Sequence, residues 1–160
     1  MFSKKNNFFL IIFLTTLFFI KTEVTATKLL ISVNKNIHLI VDLASTEKEK
    51  RRGLMFVEEL KNTNGMLFIY EKLKVRKMWM KNTKIDLDII FINENNSISS
   101  IKKGFRLSKK IISSDVPVLA ILEIPSSCNK KIMLKNGDKI QWKRINDLTN
   151  LSPSLFPCVR

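Results

Sequence analysis

From Leu29 to Lys143 the chain runs in short segments of four to seven residues, each rich in apolar positions and closed by turn-forming residues about every 8–12 positions. Segments of that length cannot supply the long amphipathic helices of a bundle, so a mostly β domain of α+β class is expected. In His38–Ala44, Leu39, Val41 and Leu43 alternate with His38, Ile40 and Asp42, the period of a half-buried strand. Leu29–Val33, Met66–Tyr70, Ser97–Ile101 and Val118–Ile124 read as further strands. One short helix is expected from Thr46, where Thr46 and Glu49 form a capping box and Gly53 ends the helix at positive φ. Arg76–Asn82 and Leu87–Asn93 are four residues apart and predict a hairpin that would set Lys81 opposite Asp88 and Trp79 opposite Ile90. Asn136-Gly137, between Lys131–Leu134 and Lys139–Lys143, predicts a second. A small barrel and a pair of packed sheets both satisfy this pattern.

The first 26 residues stand apart from it. Lys4 and Lys5 precede the apolar run Phe8–Ile20, and Val24 and Ala26 form a small-x-small exit, the grammar of a secretory signal peptide. The run has 13 residues, whereas a membrane-spanning helix needs about 20. Residues 1–26 are therefore read as a signal peptide cleaved after Ala26, with an uncleaved anchor as the alternative. Residues 27–143 form a single domain, and 144–160, with Pro153 and Pro157 and no clear period, a C-terminal surface tail. The expected compartment is periplasmic or extracellular.

The whole chain carries 28 Lys+Arg against 14 Asp+Glu. Lys4, Lys5, Lys21 and Glu23 leave with the signal, so the mature chain keeps 25 against 13, a net charge of +12. Such a surface favours an anionic envelope polymer or a lipid surface as partner. Compositional drift in a chain so rich in Lys, Ile, Asn and Phe would produce the same charge. No basic helix, zinc finger or aromatic-basic repeat points to nucleic acid. Cys128 and Cys158 either pair, as an oxidising compartment allows, or are two unrelated thiols.

Arg52-Gly53-Leu54-Met55, Gly65-Met66-Leu67-Phe68, and Trp79-Met80-Lys81-Asn82-Thr83 running on to Leu87-Asp88-Ile89-Ile90-Phe91-Ile92 are followed by Leu122-Glu123 and Asn136-Gly137-Asp138. In this order they closely resemble the domain of unknown function 192 family, over about His38 to Lys143. The resemblance implies a small curved, barrel-like sheet and no established activity. The chain departs from the family's usual pattern at four places. Val57 stands where a basic residue is common, Asp86 where Pro is usual, Lys103-Gly104-Phe105 where an Ala-Pro region is expected, and Ser127 where a Gly is.

Nucleophilic catalysis is poorly supported, because His38 is the only histidine. No metal is expected, since there is neither a Cys pair nor a His pair at ligand spacing. No cofactor is expected either, since four glycines form no phosphate-binding loop. Met55, Met66, Met78 and Met80 read as core filling. The candidate ligand-binding residues are Trp79, Lys81, Asn82, Thr83, Asp88 and Glu123, which together offer an aromatic wall, a cation, an amide, a hydroxyl and two acids. Glu123 follows an apolar strand and is either a buried pocket acid or an exposed strand end. Three functions fit. The first is a non-enzymatic exported module that binds an envelope ligand. The second is an envelope hydrolase or lyase using Glu123 and Asp88 as acid and base. The third is a basic structural interaction protein.

Overall fold

The computed structural model describes residues 26–147, 149 and 151–158. The signal peptide expected over residues 1–26 lies, but for Ala26, outside the described residues. Seven strands form one sheet. They are β1 (Lys28–Val33), β2 (Ile37–Ala44), β3 (Met66–Met78), β4 (Leu87–Ile92), β5 (Ile98–Gly104), β6 (Ile112–Pro125) and β7 (Ile140–Arg144), in the spatial order β5-β4-β6-β3-β2-β1-β7. Only β2 and β3 run parallel. The sheet curls until its two edges meet: Ser97 bridges Lys139, the Ile98 N–H donates to the Asp138 carbonyl at 2.9 Å, and the Gly137 N–H donates to the Ile98 carbonyl at 2.9 Å. The Asn136-Gly137-Asp138 turn thus stitches one end of a half-barrel.

The curl makes two apolar layers. The concave layer takes side chains from every strand, among them Leu29, Leu39, Leu67, Ile90, Ile98, Leu122 and Ile140. The outer layer holds Phe68, Ile89, Phe91 and Ile121, covered by Leu54, Leu60 and Met80 from the loops. β4 is therefore buried at all six positions, which explains its unbroken apolar run. Among the described residues, no helix is long and apolar enough to cross a membrane.

Helix α1 (Glu47–Arg52) starts at the expected capping box. The Thr46 N–H donates to Glu49 Oε2 at 2.8 Å, and the Glu49 N–H donates to Thr46 Oγ1 at 3.2 Å. Gly53, at φ 47, ends the helix with its N–H on the Glu49 carbonyl at 2.7 Å.

Two expected hairpins are not formed. β3 ends at Met78, and β4 pairs with β5 and β6 instead, so β6 lies between β3 and β4. A fully buried β4 needs a neighbour on each edge, and the 14-residue β6 supplies one of them. Asp88 consequently sits opposite Lys103 and Ile124, and Ile90 opposite Ile101 and Leu122. Neither the Lys81–Asp88 pair nor the Trp79–Ile90 pair exists. Lys131 lies not in a strand but in a second helix, α2 (Ser126–Ile132). There Ile132 packs on the concave core, and Cys128, four residues before it on the same helix face, is buried.

The C-terminal segment is anchored. Asn64 Nδ2 donates to the Leu155 carbonyl at 2.6 Å, the Cys158 N–H donates to Asn64 Oδ1 at 3.0 Å, and Cys158 is disulfide-bonded to Cys128. The bond closes a loop with a sequence separation of 30. Thiol reduction, or Cys128→Ser with Cys158→Ser, is expected to lower unfolding free energy by about 3–4 kcal/mol. A denaturant titration with and without reductant checks this, and coincident midpoints would refute it.

Candidate ligand-binding site

A cavity of about 650 Å³ opens on the outer face of the sheet. One wall is the last turn of α1 and the segment Gly53–Met55. The other is β3 from Phe68 to Met78, with Trp79 and Thr83 beyond it, and Glu123 lies at the floor. Glu123 is held there by its backbone, in the middle of the sheet, opposite Met66 on one side and Ile89 on the other. That placement rests on Gly65, because a Cβ at this position would lie 2.0 Å from the Glu123 carbonyl oxygen. Above it stands Gly53, where a Cβ would press on the Phe68 ring at 3.2 Å and lie in ordinary contact with Glu123 Oε2 at 3.9 Å. Two of the family-like segments thus border Glu123, Gly65 at its main chain and Gly53 on the side of its carboxyl.

Glu123 is buried, and no described residue hydrogen-bonds its carboxyl. Desolvation alone pushes its pKa up to about 8, so it is a neutral donor at pH 7. Tyr70 lines the same cavity, with its phenol pushed up to about 12, chiefly by burial. The Arg76 guanidinium lies 3.8 Å from the Tyr70 ring centroid and donates through Nη2 to the Lys72 carbonyl at 2.5 Å. Its Nε–H is buried without a partner. Lys50 sits 4.9 Å from the same ring, and Lys77 also lines the mouth. The cavity therefore presents donors and positive charge beside the rings of Phe68, Tyr70 and Trp79.

The six candidate residues are not brought together. Trp79, Thr83 and Glu123 line the cavity. Lys81 is exposed outside it, with Nζ 5.4 Å from the Trp79 ring centroid. Asn82 is structural: its carbonyl accepts the Phe56 N–H at 2.7 Å, and its Nδ2 donates to Met55 Sδ at 3.8 Å, tying the two signature loops together. Asp88 faces the opposite side of the sheet, with Ile90 and Ile124. It accepts from Ser126 Oγ at 2.5 Å and Asn129 Nδ2 at 2.7 Å, and so secures α2. Glu123 and Asp88 cannot act on one substrate as acid and base, because adjacent strand positions point to opposite faces and Glu123 pairs with Ile89, not Asp88. Arg76 and Tyr70 were missed in the sequence because an irregular step between Ile69 and Lys74 in β3 folds them together.

A larger depression, of about 800 Å³, lies between Glu58, Lys84, Asp86, Arg106 and Lys130. Three of its charged side chains, Glu58, Lys84 and Asp86, are engaged within the protein. Lys84 Nζ meets Glu58 at 2.5 Å, and Asp86 Oδ1 accepts the Arg106 N–H at 2.8 Å. The smaller cavity is lined instead by Glu123, without a hydrogen-bond partner among the described residues, and by Arg76.

The family model described as DUF192, an uncharacterized ACR, matches residues 30–142. A Sinorhizobium meliloti protein, whose crystal structure is described as that of a candidate transcription regulator, is 28% identical with a TM-score of 0.66, over 74% of this chain and 94% of that one. A Novosphingobium aromaticivorans protein of unknown function is 30% identical with a TM-score of 0.64, over 72% and 84%. No curated protein matches the chain.

Proposed function

The chain belongs to the DUF192 family, and from the cavity its signature segments enclose we propose that it is an exported, non-enzymatic module binding a small acidic saccharide of the cell envelope. One observation carries this reading. The buried Glu123 carboxyl has no hydrogen-bond partner among the described residues, and it floors a cavity that Tyr70, Arg76 and Trp79 also line. A buried polar group left unpaired costs about 1–3 kcal/mol, so a ligand that accepts a hydrogen bond from Glu123 is favoured. The protonated Glu123 and the Tyr70 phenol donate to hydroxyl or carbonyl oxygens. Arg76 and Lys77 meet the acid, and Trp79 stacks on the sugar face. Binding rather than hydrolysis is supported because the other acid lining the cavity, Glu47, is exposed at its rim and pairs with Lys50 at 3.4 Å, so Glu123 is the one carboxyl at the floor. Export is supported by the N-terminal grammar and by the Cys128–Cys158 bond, which suits an oxidising compartment.

Calorimetric titration with glucuronate, and with glucose as the neutral control, tests this. Glucuronate should bind and glucose should not. Arg76→Gln should weaken glucuronate binding at least about tenfold, the loss of one charge-assisted hydrogen bond. Binding should also decline above about pH 8 as Glu123 ionises. Equal binding of the two sugars, or binding indifferent to Arg76→Gln, would refute the proposal.

A further inference from the structure

We infer a second interaction surface beside the cavity: two loop tips, at Phe56 and at Phe105–Ile111, that seat the protein on an anionic phospholipid bilayer. This surface stands on observations independent of the saccharide reading.

The loops are laced to the Trp79–Thr83 segment by main-chain bonds. The Phe56 N–H donates to the Asn82 carbonyl at 2.7 Å, the Leu107 N–H to the Thr83 carbonyl at 2.9 Å, and the Met80 N–H to the Ser108 carbonyl at 3.2 Å. Their apolar side chains nevertheless face solvent: Phe56 is 64% exposed, Phe105 63% and Leu107 58%. Phe56 and Leu107 are also left-handed, at φ 66 and 60. Bulky residues resist that conformation, whereas Asn or Gly adopt it readily. The backbone there calls for a small polar residue, and neither side chain joins a core cluster. Folding gains nothing from either choice.

Charge identifies the occupant. Lys81, Lys103, Arg106, Lys109 and Lys110 are all exposed around these tips. In Phe105-Arg106-Leu107-Ser108-Lys109-Lys110-Ile111, apolar and cationic side chains interleave. That is the chemistry of the bilayer interface, where apolar tips reach the acyl boundary and basic stems extend to phosphates. Of the nearby acids, Asp86 accepts the Arg106 N–H at 2.8 Å, Glu58 pairs with Lys84 at 2.5 Å, and Glu59 is outnumbered by the five cations. A second copy of the chain is disfavoured as occupant by the repulsion of two strongly basic faces. An acidic polymer would engage the cations and leave three large apolar side chains in water.

Vesicle sedimentation tests the inference, using the processed protein and vesicles of phosphatidylcholine alone or mixed equally with phosphatidylglycerol. Binding is expected to the mixed vesicles, to weaken at high salt, and to be slight with phosphatidylcholine alone. Phe56→Asn with Leu107→Asn should weaken binding by about tenfold or more. Its melting temperature should be equal to or above that of the wild type, because Asn relieves the left-handed strain. Wild type and variant share one N-terminus, so the difference reports the loops alone. If the double variant melts early, Phe105→Ser, at ordinary backbone geometry, repeats the comparison. No vesicle binding, equal binding to neutral vesicles, or undiminished binding by a folded variant would overturn the surface. So would retention on an acidic polysaccharide without any on vesicles.

Discussion

Glu123→Gln is expected to stabilise the protein strongly above pH 8 and to leave it nearly unchanged near pH 4. Burial raises the folded-state pKa of Glu123 from 4.5 to about 8. Between those values the folded protein holds a proton that the unfolded chain releases, so stability falls as pH rises through the window. It is flat below about 4.5 and has lost its full increment above about 8. Each unit of pKa difference corresponds to about 1.4 kcal/mol, so the carboxylate costs up to about 5 kcal/mol at alkaline pH. Glutamine has the shape and donor capacity of the neutral acid and does not titrate. Melting curves of the two proteins from pH 4 to pH 10 should diverge progressively across the window. Parallel curves throughout would show that Glu123 is ionised in the fold, and the donor role assigned to it would fail.

Gly65→Ala is expected to be the most damaging single-methyl change described here, at about 3 kcal/mol or more, enough to leave the protein largely insoluble. The added Cβ would lie 2.0 Å from the Glu123 carbonyl oxygen and 3.0 Å from Ile124 Cγ2. Both belong to central strand β6, which is paired on both edges and cannot retreat. Gly65 itself is fixed from the other side, because the Asp42 N–H and Thr63 Oγ1 donate to its carbonyl at 3.0 and 2.7 Å. Gly137→Ala is the control. Nothing lies within 4 Å of a Cβ there, and only its φ of 90 opposes the change, at about 1 kcal/mol. Thermal unfolding should rank the two variants far apart. Similar melting temperatures would mean that β3 and β6 separate more easily than their pairing indicates.

Much of this architecture is legible in the chain itself. The alternation in His38–Ala44, the capping box at Thr46 and the positive-φ glycine at 53 are local. Neighbours within four residues decide them, and each is found as the sequence predicts except at Ile40, expected on the open face with His38 and Asp42 but fully buried. The family signature is also linear, and it correctly announced a curved, mostly β sheet. The site was legible in part. Glu123 and Trp79 could be picked out as an acid after an apolar strand and an aromatic among polar residues. Which face each would point to could not.

Pairing of strands distant in the sequence decided the rest. A four-residue connection between Asn82 and Leu87 permits a hairpin, yet β4 joined β6, which comes from some 30 residues further on. Burying both faces of β4 outweighed the shorter loop, because loop-closure entropy grows only slowly with length. That one choice sent Asp88 to the concave side to hold α2 and Glu123 to the outer side to floor a cavity. It separated two acids that a linear reading had placed together. Local chemistry thus determined the strands, the helix start and the turns. Long-range burial and register determined which side chains meet, and a binding site is made of meetings.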